Sequence, residues 1–165
     1  MEFENVIRER TAVRKFSNKG VEKEKIDKIL EAGRLAPTAL NKQPFKILVV
    51  QNELDKIDTA SRCRYNAPVV LVVCASKDDA YQKGEYSTYE MDASIVATHM
   101  MLEATNLGVD NIWIELFDGK VLKEEFNLNN LEPICLLPIG YKADDCPVNS
   151  MHNVRKPIDD LVEWR

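Results

Sequence analysis

A chain of 165 residues, 45% hydrophobic and 30% charged, is long enough to bury a full core and too apolar for a disordered tail. Its 22 basic and 27 acidic residues leave a net charge of −5, which argues against nucleic acid or an anionic membrane as the main partner. The longest apolar runs, Pro68 to Ala75 and Ile134 to Gly140, fall far short of the roughly 18 residues of a membrane span, and Met1-Glu2-Phe3-Glu4-Asn5 lacks the stretches of a signal peptide, so one cytoplasmic domain over residues 1–165 is expected.

Phe3, Val6 and Ile7 have helical spacing and predict a short first helix ending near Arg10. Residues 8–15 carry four positive charges and one negative, a local +3, so the rest of the chain sums to −8. Ile26, Ile29, Leu30 and Gly33 predict a second helix, with Glu22 and Glu24 in its first turn. Pro37 and Pro44 bound a polar loop, Thr38-Ala39-Leu40-Asn41-Lys42-Gln43. Phe45 to Val50 reads as a strand, and Val69 to Ala75 as a buried one rich in β-branched residues.

Ser87-x-x-Glu90 has the spacing of a capping box. The segment it opens, to about Leu107, is apolar on nearly every face (Met91, Ile95, Val96, Met100, Met101, Leu102), so a helix buried on all sides, in part by a second subunit, is expected. Gly108 suits the left-handed position that ends such a helix. Val109 to Phe117 reads as a strand, Lys120 to Phe126 as a short helix, Ile134 to Tyr141 as a buried strand and Pro157 onwards as a tail. Helices and strands mix without strict alternation, which favours α+β over a doubly wound sheet. Cys63, Cys74, Cys135 and Cys146 show no CxxC spacing, and two of them lie in apolar runs, so free core thiols are expected; with only His99 and His152, no zinc pattern can be assembled.

The chain has no GxxxxGK, no GxGxxG and no GxSxG, so catalysis would have to come from a bound cofactor. Four groups of residues stand out. In Arg10-Thr11-Ala12-Val13-Arg14-Lys15-Phe16 the guanidinium forks suit a phosphate or a polarised carbonyl, although a helix-terminal and solvated role accounts for the same charges. Ala36-Pro37-Thr38-x-x-Asn41-x-Gln43-Pro44-Phe45 reads on its own as a rigid turn. In Asn111-Ile112-Trp113-Ile114-Glu115-Leu116 a buried strand would leave Glu115 needing a partner or a cavity. His152-x-x-Arg155-Lys156-Pro157 is a basic tail, and its charges with those of residues 8–15 suit a small anion better than a polymer.

Taken in this order, with the long apolar helix ending in Leu107-Gly108 and the strand Leu136-Leu137-Pro138-Ile139-Gly140-Tyr141, these segments resemble the nitroreductase family of FMN-dependent oxidoreductases from about Phe3 to Val162. The resemblance implies a central mixed, mostly antiparallel sheet flanked by helices, and an intertwined homodimer with FMN at the subunit interface. It assigns Arg10 and Thr11, with Ala12 beside them, to the FMN phosphate and ribityl chain, and Arg14 to the N1/O2 edge of the flavin. Pro37, Thr38, Ala39 and Asn41 would come from the other subunit. Trp113, Ile114, Glu115 and Leu116 would line the isoalloxazine, with Arg155 and, more weakly, Lys156 at the phosphate.

The implied activity is hydride transfer from NADH or NADPH, through flavin N5, to a small electron-poor acceptor such as a nitroaromatic or quinone, with no catalytic side chain. The alternative it leaves is a flavin-binding protein without turnover, for storage or delivery. Four departures from the family pattern are Ala12 for a common serine, Phe45 for tryptophan, Leu116 for glycine and Asn153 for a basic residue. The short Ser76–Tyr86 connection implies a pocket with little wall.

Overall fold

The computed structural model describes residues 1–165. In chain order it comprises α1 (Phe3–Glu9), α2 (Lys23–Arg34), β1 (Phe45–Val50), α3 (Leu54–Ala60), β2 (Val69–Ser76), β3 (Gln82–Lys83), β4 (Tyr86–Ser87), α4 (Tyr89–Asn106), β5 (Asp110–Asn111), α5 (Gly119–Phe126) and β6 (Leu131–Gly140). The fold is α+β: the main sheet has the order β1-β2-β6-β5, every neighbouring pair is antiparallel, and an isolated parallel bridge joins Ala12 to Asn111.

All eight residues of β2 are buried, which its unbroken apolar sequence requires of a strand covered on both faces. Val69, Leu71, Val73 and Ala75 face one cluster with Ile26, Ile29, Val96 and Met100; Val70, Val72 and Cys74 face another with Ile57 and Leu122. Helices α2 and α4 thus cover one face of the sheet, and α3 and α5 the other. Each fully buried valine or leucine contributes about 1.5–3 kcal/mol, so this doubly covered strand is a substantial part of the hydrophobic stabilisation.

Helix α4 buries Ala93, Val96, Ala97, Met100 and Ala104 as one stripe. Gly33 lets α2 approach it closely: a Cβ there would lie 2.8 Å from Met100 Cγ. The opposite face is only half covered, and Met91 is 55% exposed, so the all-round burial expected from the sequence is not reached within one chain. At the C-terminal end of α4, Gly108 adopts φ 69, the left-handed geometry its position requires.

Several expectations need correction. Thr88, not Ser87, is the N-cap of α4, and no capping box forms. Ser87 instead pairs with Gln82 in the β3–β4 hairpin, and its hydroxyl is buried without a partner. That hairpin forms the end of the short Ser76–Tyr86 connection and runs into Ser87. The strand expected over residues 109–117 shrinks to Asp110–Asn111 and a bridge from Ile114 to Leu136. Pro138 explains the gap: its carbonyl accepts from the Ile112 N–H at 3.2 Å, but proline has no N–H to return. Helix α3 was not anticipated; its apolar contacts are Leu54, Ile57 and Ala60.

Three outcomes follow from this packing. A Cβ at Gly140 would lie 2.7 Å from Pro68 Cδ and 3.0 Å from Phe16 Cδ1, both parts of rigid rings. Gly140→Ala should therefore destabilise the protein by about 1–3 kcal/mol in urea titration, and an unchanged midpoint would contradict this packing. All four cysteines are free; Cys63 and Cys146 are half-buried, whereas burial pushes the thiol of Cys74 from 9.0 up to about 12 and that of Cys135 upward as well. A thiol reagent should modify two groups quickly in the native protein and all four in denaturant. Because the fold holds these two thiols protonated, stability should fall as pH rises from about 9 towards 12.

Candidate functional site

The segment after α1 is extended and fixed by two buried anchors, Val13 and Phe16. The Val13 N–H donates to the Asn111 carbonyl at 3.1 Å, and the Phe16 N–H to the Tyr65 carbonyl at 3.1 Å. With Val13 and Phe16 turned inward, Arg14 and Lys15 are exposed and Arg10, Thr11 and Ala12 are half-buried. The C-terminal segment meets them through a 3₁₀ turn at Ser150–Asn153, where Asn149 Oδ1 accepts from the Met151 N–H at 2.8 Å. Arg155 folds back and donates to the carbonyls of His152 and Val154.

Between these two segments lies a cleft of about 220 Å³, lined by Arg10, Thr11, Ala12 and Arg14 on one side and by Asn149, Met151, His152 and Arg155 on the other. The two basic spots of the sequence are thus brought together across 141 positions of chain, Arg14 to Arg155. Lys156 is exposed and does not line the cleft.

The electrostatics of the cleft are unusual for this protein. Arg8, Arg34, Arg64 and Arg165 each pair with a carboxylate, at 2.5–3.0 Å. The other four arginines, Arg10, Arg14, Arg62 and Arg155, form no salt bridge, and three of them share this cleft. Burial lowers the pKa of Arg10, and the charge of Arg155 lowers it further. Like charges held together in a partly buried cleft raise the energy of the folded chain unless an anion lies between them.

The fourth unpaired arginine, Arg62, lines a hollow of about 940 Å³ with Ser61, Cys63, Leu116, Phe117 and Lys120 among others. Ser61 Oγ donates to the Leu116 carbonyl at 2.7 Å and accepts from the Cys63 N–H at 3.2 Å, which stitches the two loops together. Tyr65 lies beside Cys63 of this hollow and Arg14 of the cleft. Burial and the neighbouring Cys63 thiol raise its phenol pKa, and the Arg14 guanidinium beside it works against the rise. Arg62, Cys63 and Tyr65 were not singled out by sequence, because they fall in a short loop with no periodicity or motif.

Ile114 is buried, Trp113 is half-buried and Leu116 is 77% exposed at the rim of that hollow. Glu115 is exposed and accepts the Trp113 indole N–H at 2.9 Å, so the buried-acid problem posed by the sequence does not arise.

The Pro37–Asn41 segment lies elsewhere, against the N-terminal end of α4, and does not line the cleft. Its backbone is unusual: Leu40, Asn41 and Gln43 all have positive φ, of 52, 54 and 51. Non-glycine residues in this region each cost of order 1–3 kcal/mol and persist only where surrounding contacts determine them, a pattern concentrated at ligand-holding sites.

The sequence profile of the Nitroreductase family matches residues 7–65 and 61–141. A nitroreductase family protein of Clostridium difficile 630 superposes with a TM-score of 0.92 at 35% identity, covering 99% of this chain and 98% of its own. A protein of Archaeoglobus fulgidus named as an NADH dehydrogenase/NAD(P)H nitroreductase is 29% identical over 146 residues, 82% of this chain and 83% of its own. A nitroreductase of Desulfovibrio desulfuricans, solved in complex with FMN, shares the fold with a TM-score of 0.85 at 22% identity, covering 100% of this chain and 97% of its own.

Proposed function

The chain belongs to the nitroreductase family, and from that premise we propose that it is an FMN-dependent NAD(P)H oxidoreductase, one FMN-binding domain over residues 1–165 that acts as a homodimer and reduces a nitroaromatic, a quinone or a similarly electron-poor acceptor. One observation carries the reading: Arg10, Arg14 and Arg155 share a cleft with the Thr11 hydroxyl and no neutralising carboxylate. This donor set fits a phosphate dianion joined to a polar chain. The family name and the FMN found in the Desulfovibrio relative point to the same cofactor.

Bound FMN would supply the hydride chemistry, taking hydride from a reduced nicotinamide for delivery to the acceptor. The residues of the chain bind, orient and tune. Arg10 and Arg155, whose charges already act on each other, would clamp the phosphate, and Thr11 would donate to the ribityl chain. Arg14, on the side of Tyr65 and the second hollow, is suited to the pyrimidine edge of the ring. The Trp113–Leu116 segment would line the ring, with Leu116 at the open side. Pro37, Thr38, Ala39 and Asn41 would complete the site from the other subunit, which accords with their distance from the cleft in one chain.

The homodimer draws support from what one chain leaves uncovered. Val148, Met151, Val154, Ile158, Leu161 and Trp164 are all exposed, Trp164 at 92%. Phe3, Ile7 and Met91 on the outer faces of α1 and α4 are exposed as well. Apolar area of this extent marks an interface. Light scattering should give twice the chain mass, and a stable monomer with stoichiometric FMN would refute the two-subunit site.

A visible spectrum of natively purified protein, with steady-state NAD(P)H oxidation in the presence and absence of a quinone, tests the whole reading. Colourless protein that takes up no added FMN overturns it, and flavin without turnover would favour storage or delivery.

The two arginines should separate in function. The phosphate is unchanged by flavin reduction, so Arg155→Leu should weaken FMN binding by about 1.5–3 kcal/mol, or roughly 10- to 150-fold, yet leave the hydride-transfer rate nearly normal once FMN is saturating. Arg14 would stabilise negative charge that reduction places on the ring. An interaction that strengthens along the reaction accelerates it, so Arg14→Leu should lower the flavin midpoint potential and slow anaerobic reduction even at full occupancy. Stopped-flow reduction and redox titration of both variants decide the matter; equal slowing by the two would sink the assignment.

A further inference from the structure

The N-terminal end of α4 holds a buried carboxylate with no cation beside it. Asp92 is 2% exposed and takes part in none of the salt bridges of the protein. Its Oδ2 accepts from the Thr88 hydroxyl at 2.8 Å, and its Oδ1 accepts from the backbone N–H of Ala39 at 2.9 Å, 53 residues away in sequence. A carboxylate is expensive to bury and is retained only where specific donors meet it. The positive end of α4 offsets part of that cost, and the two hydrogen bonds take up one lone pair on each oxygen.

The donor from Ala39 is the informative one, because Ala39 opens the turn in which Leu40, Asn41 and Gln43 are left-handed. Most other bonds of this turn are internal: Asn41 N–H to the Thr38 carbonyl at 2.9 Å, Lys42 N–H to the Ala39 carbonyl at 3.1 Å and Gln43 N–H to Thr38 Oγ1 at 3.0 Å. They fix the shape of the turn but not its placement on the body of the protein. Beyond the turn, the Pro44 carbonyl accepts from the Ser76 N–H at 2.7 Å, and Lys42 Nζ reaches the Ala80 carbonyl only at 3.4 Å. The charge-assisted bond to Asp92 is therefore the short tie between the turn and α4, and it leaves Leu40 projecting, 77% exposed.

We propose that Asp92 is a positioning residue of the flavin site: through the Ala39 N–H it holds the Thr38–Gln43 turn in the pose that completes the FMN site of the partner subunit. The inference rests on the FMN-dependent dimer proposed above. A turn that spends only part of its time in the competent pose lowers the apparent affinity by that fraction, so Asp92 acts on FMN binding without touching FMN.

The test is titration of FMN into the apo-dimer of three variants and the unaltered protein, read by quenching of flavin fluorescence. Asp92→Ala removes the acceptor and should raise the FMN dissociation constant about 10- to 100-fold, the range for loss of one charge-assisted bond. Asp92→Asn keeps a carbonyl for the Ala39 N–H and an amide that the Thr88 hydroxyl can accept, and should restore affinity to within about threefold. Ala39→Pro deletes the donor from the loop side, at the start of a 3₁₀ turn preceded by an extended Thr38 where proline is tolerated, and should match Asp92→Ala even if that variant folds poorly. Wild-type affinity in Ala39→Pro or in a dimeric Asp92→Ala overturns the positioning role alone, as does failure of Asp92→Asn to recover. Failure of the unaltered dimer to bind FMN overturns the cofactor reading and this inference with it.

Discussion

Burial of β2 on both faces is the constraint from which the rest of the molecule follows. All eight residues are buried and the first seven are apolar, with Ser76 only at the end, so a helical layer is needed on each side. Backbone there is fully committed to β1 and β6. A polar ligand cannot be served from such a strand. Free donors remain where the layers end: at the bridge between Ala12 and Asn111, at the α3–β2 loop and at the irregular C-terminal segment. The cleft and the hollow form there, at the edge of a core that reaches the hollow only at Ala60.

The arginines show what this arrangement costs the folded chain. Four of eight are neutralised by carboxylates on the surface, as expected in a protein with net charge −5. The unpaired four sit in the cleft and the hollow, although the chain has 27 acidic residues to draw on. A fold selected for stability alone would place carboxylates between Arg10 and Arg155. Leaving them apart gives an anion a site in which the repulsion is already built and is relieved by binding.

Much of this was legible in the sequence, for reasons that can be named. Strand β2 and helix α4 are long apolar segments whose patterns admit few other readings, and Gly108 marks the end of α4 through its positive φ. The short elements were misread where a distant residue decided them. Pro138, in another strand, interrupts the pairing of residues 112–114, and the Tyr81 carbonyl, by accepting from the Thr88 N–H at 3.1 Å, moves the cap of α4 one residue beyond Ser87. The basic spots were visible as charge, but their convergence depends on how Val13, Phe16 and the 149–155 turn are anchored. The place of Arg62 in the wall of the hollow was not visible at all, since a loop without periodicity carries no pattern for its neighbours to reveal.

In the dimer proposed above, the strained turn at residues 38–43 and the exposed C-terminal segment would be opposite solutions to one problem, the supply of groups to a second copy of the chain. The exposed apolar residues of the C-terminal segment make few contacts with their own body, so their order in the proposed dimer would come from association. The turn is ordered beforehand: three left-handed residues and a buried carboxylate fix it while Leu40 still faces solvent. Segments that order on binding give up affinity to conformational entropy, whereas a preformed element does not. A covering arm tolerates that loss because many apolar contacts share it. A few polar groups that must meet one small ligand do not, since a displacement of about 1 Å removes a hydrogen bond. It is therefore the turn, and not the arm, that carries the strain.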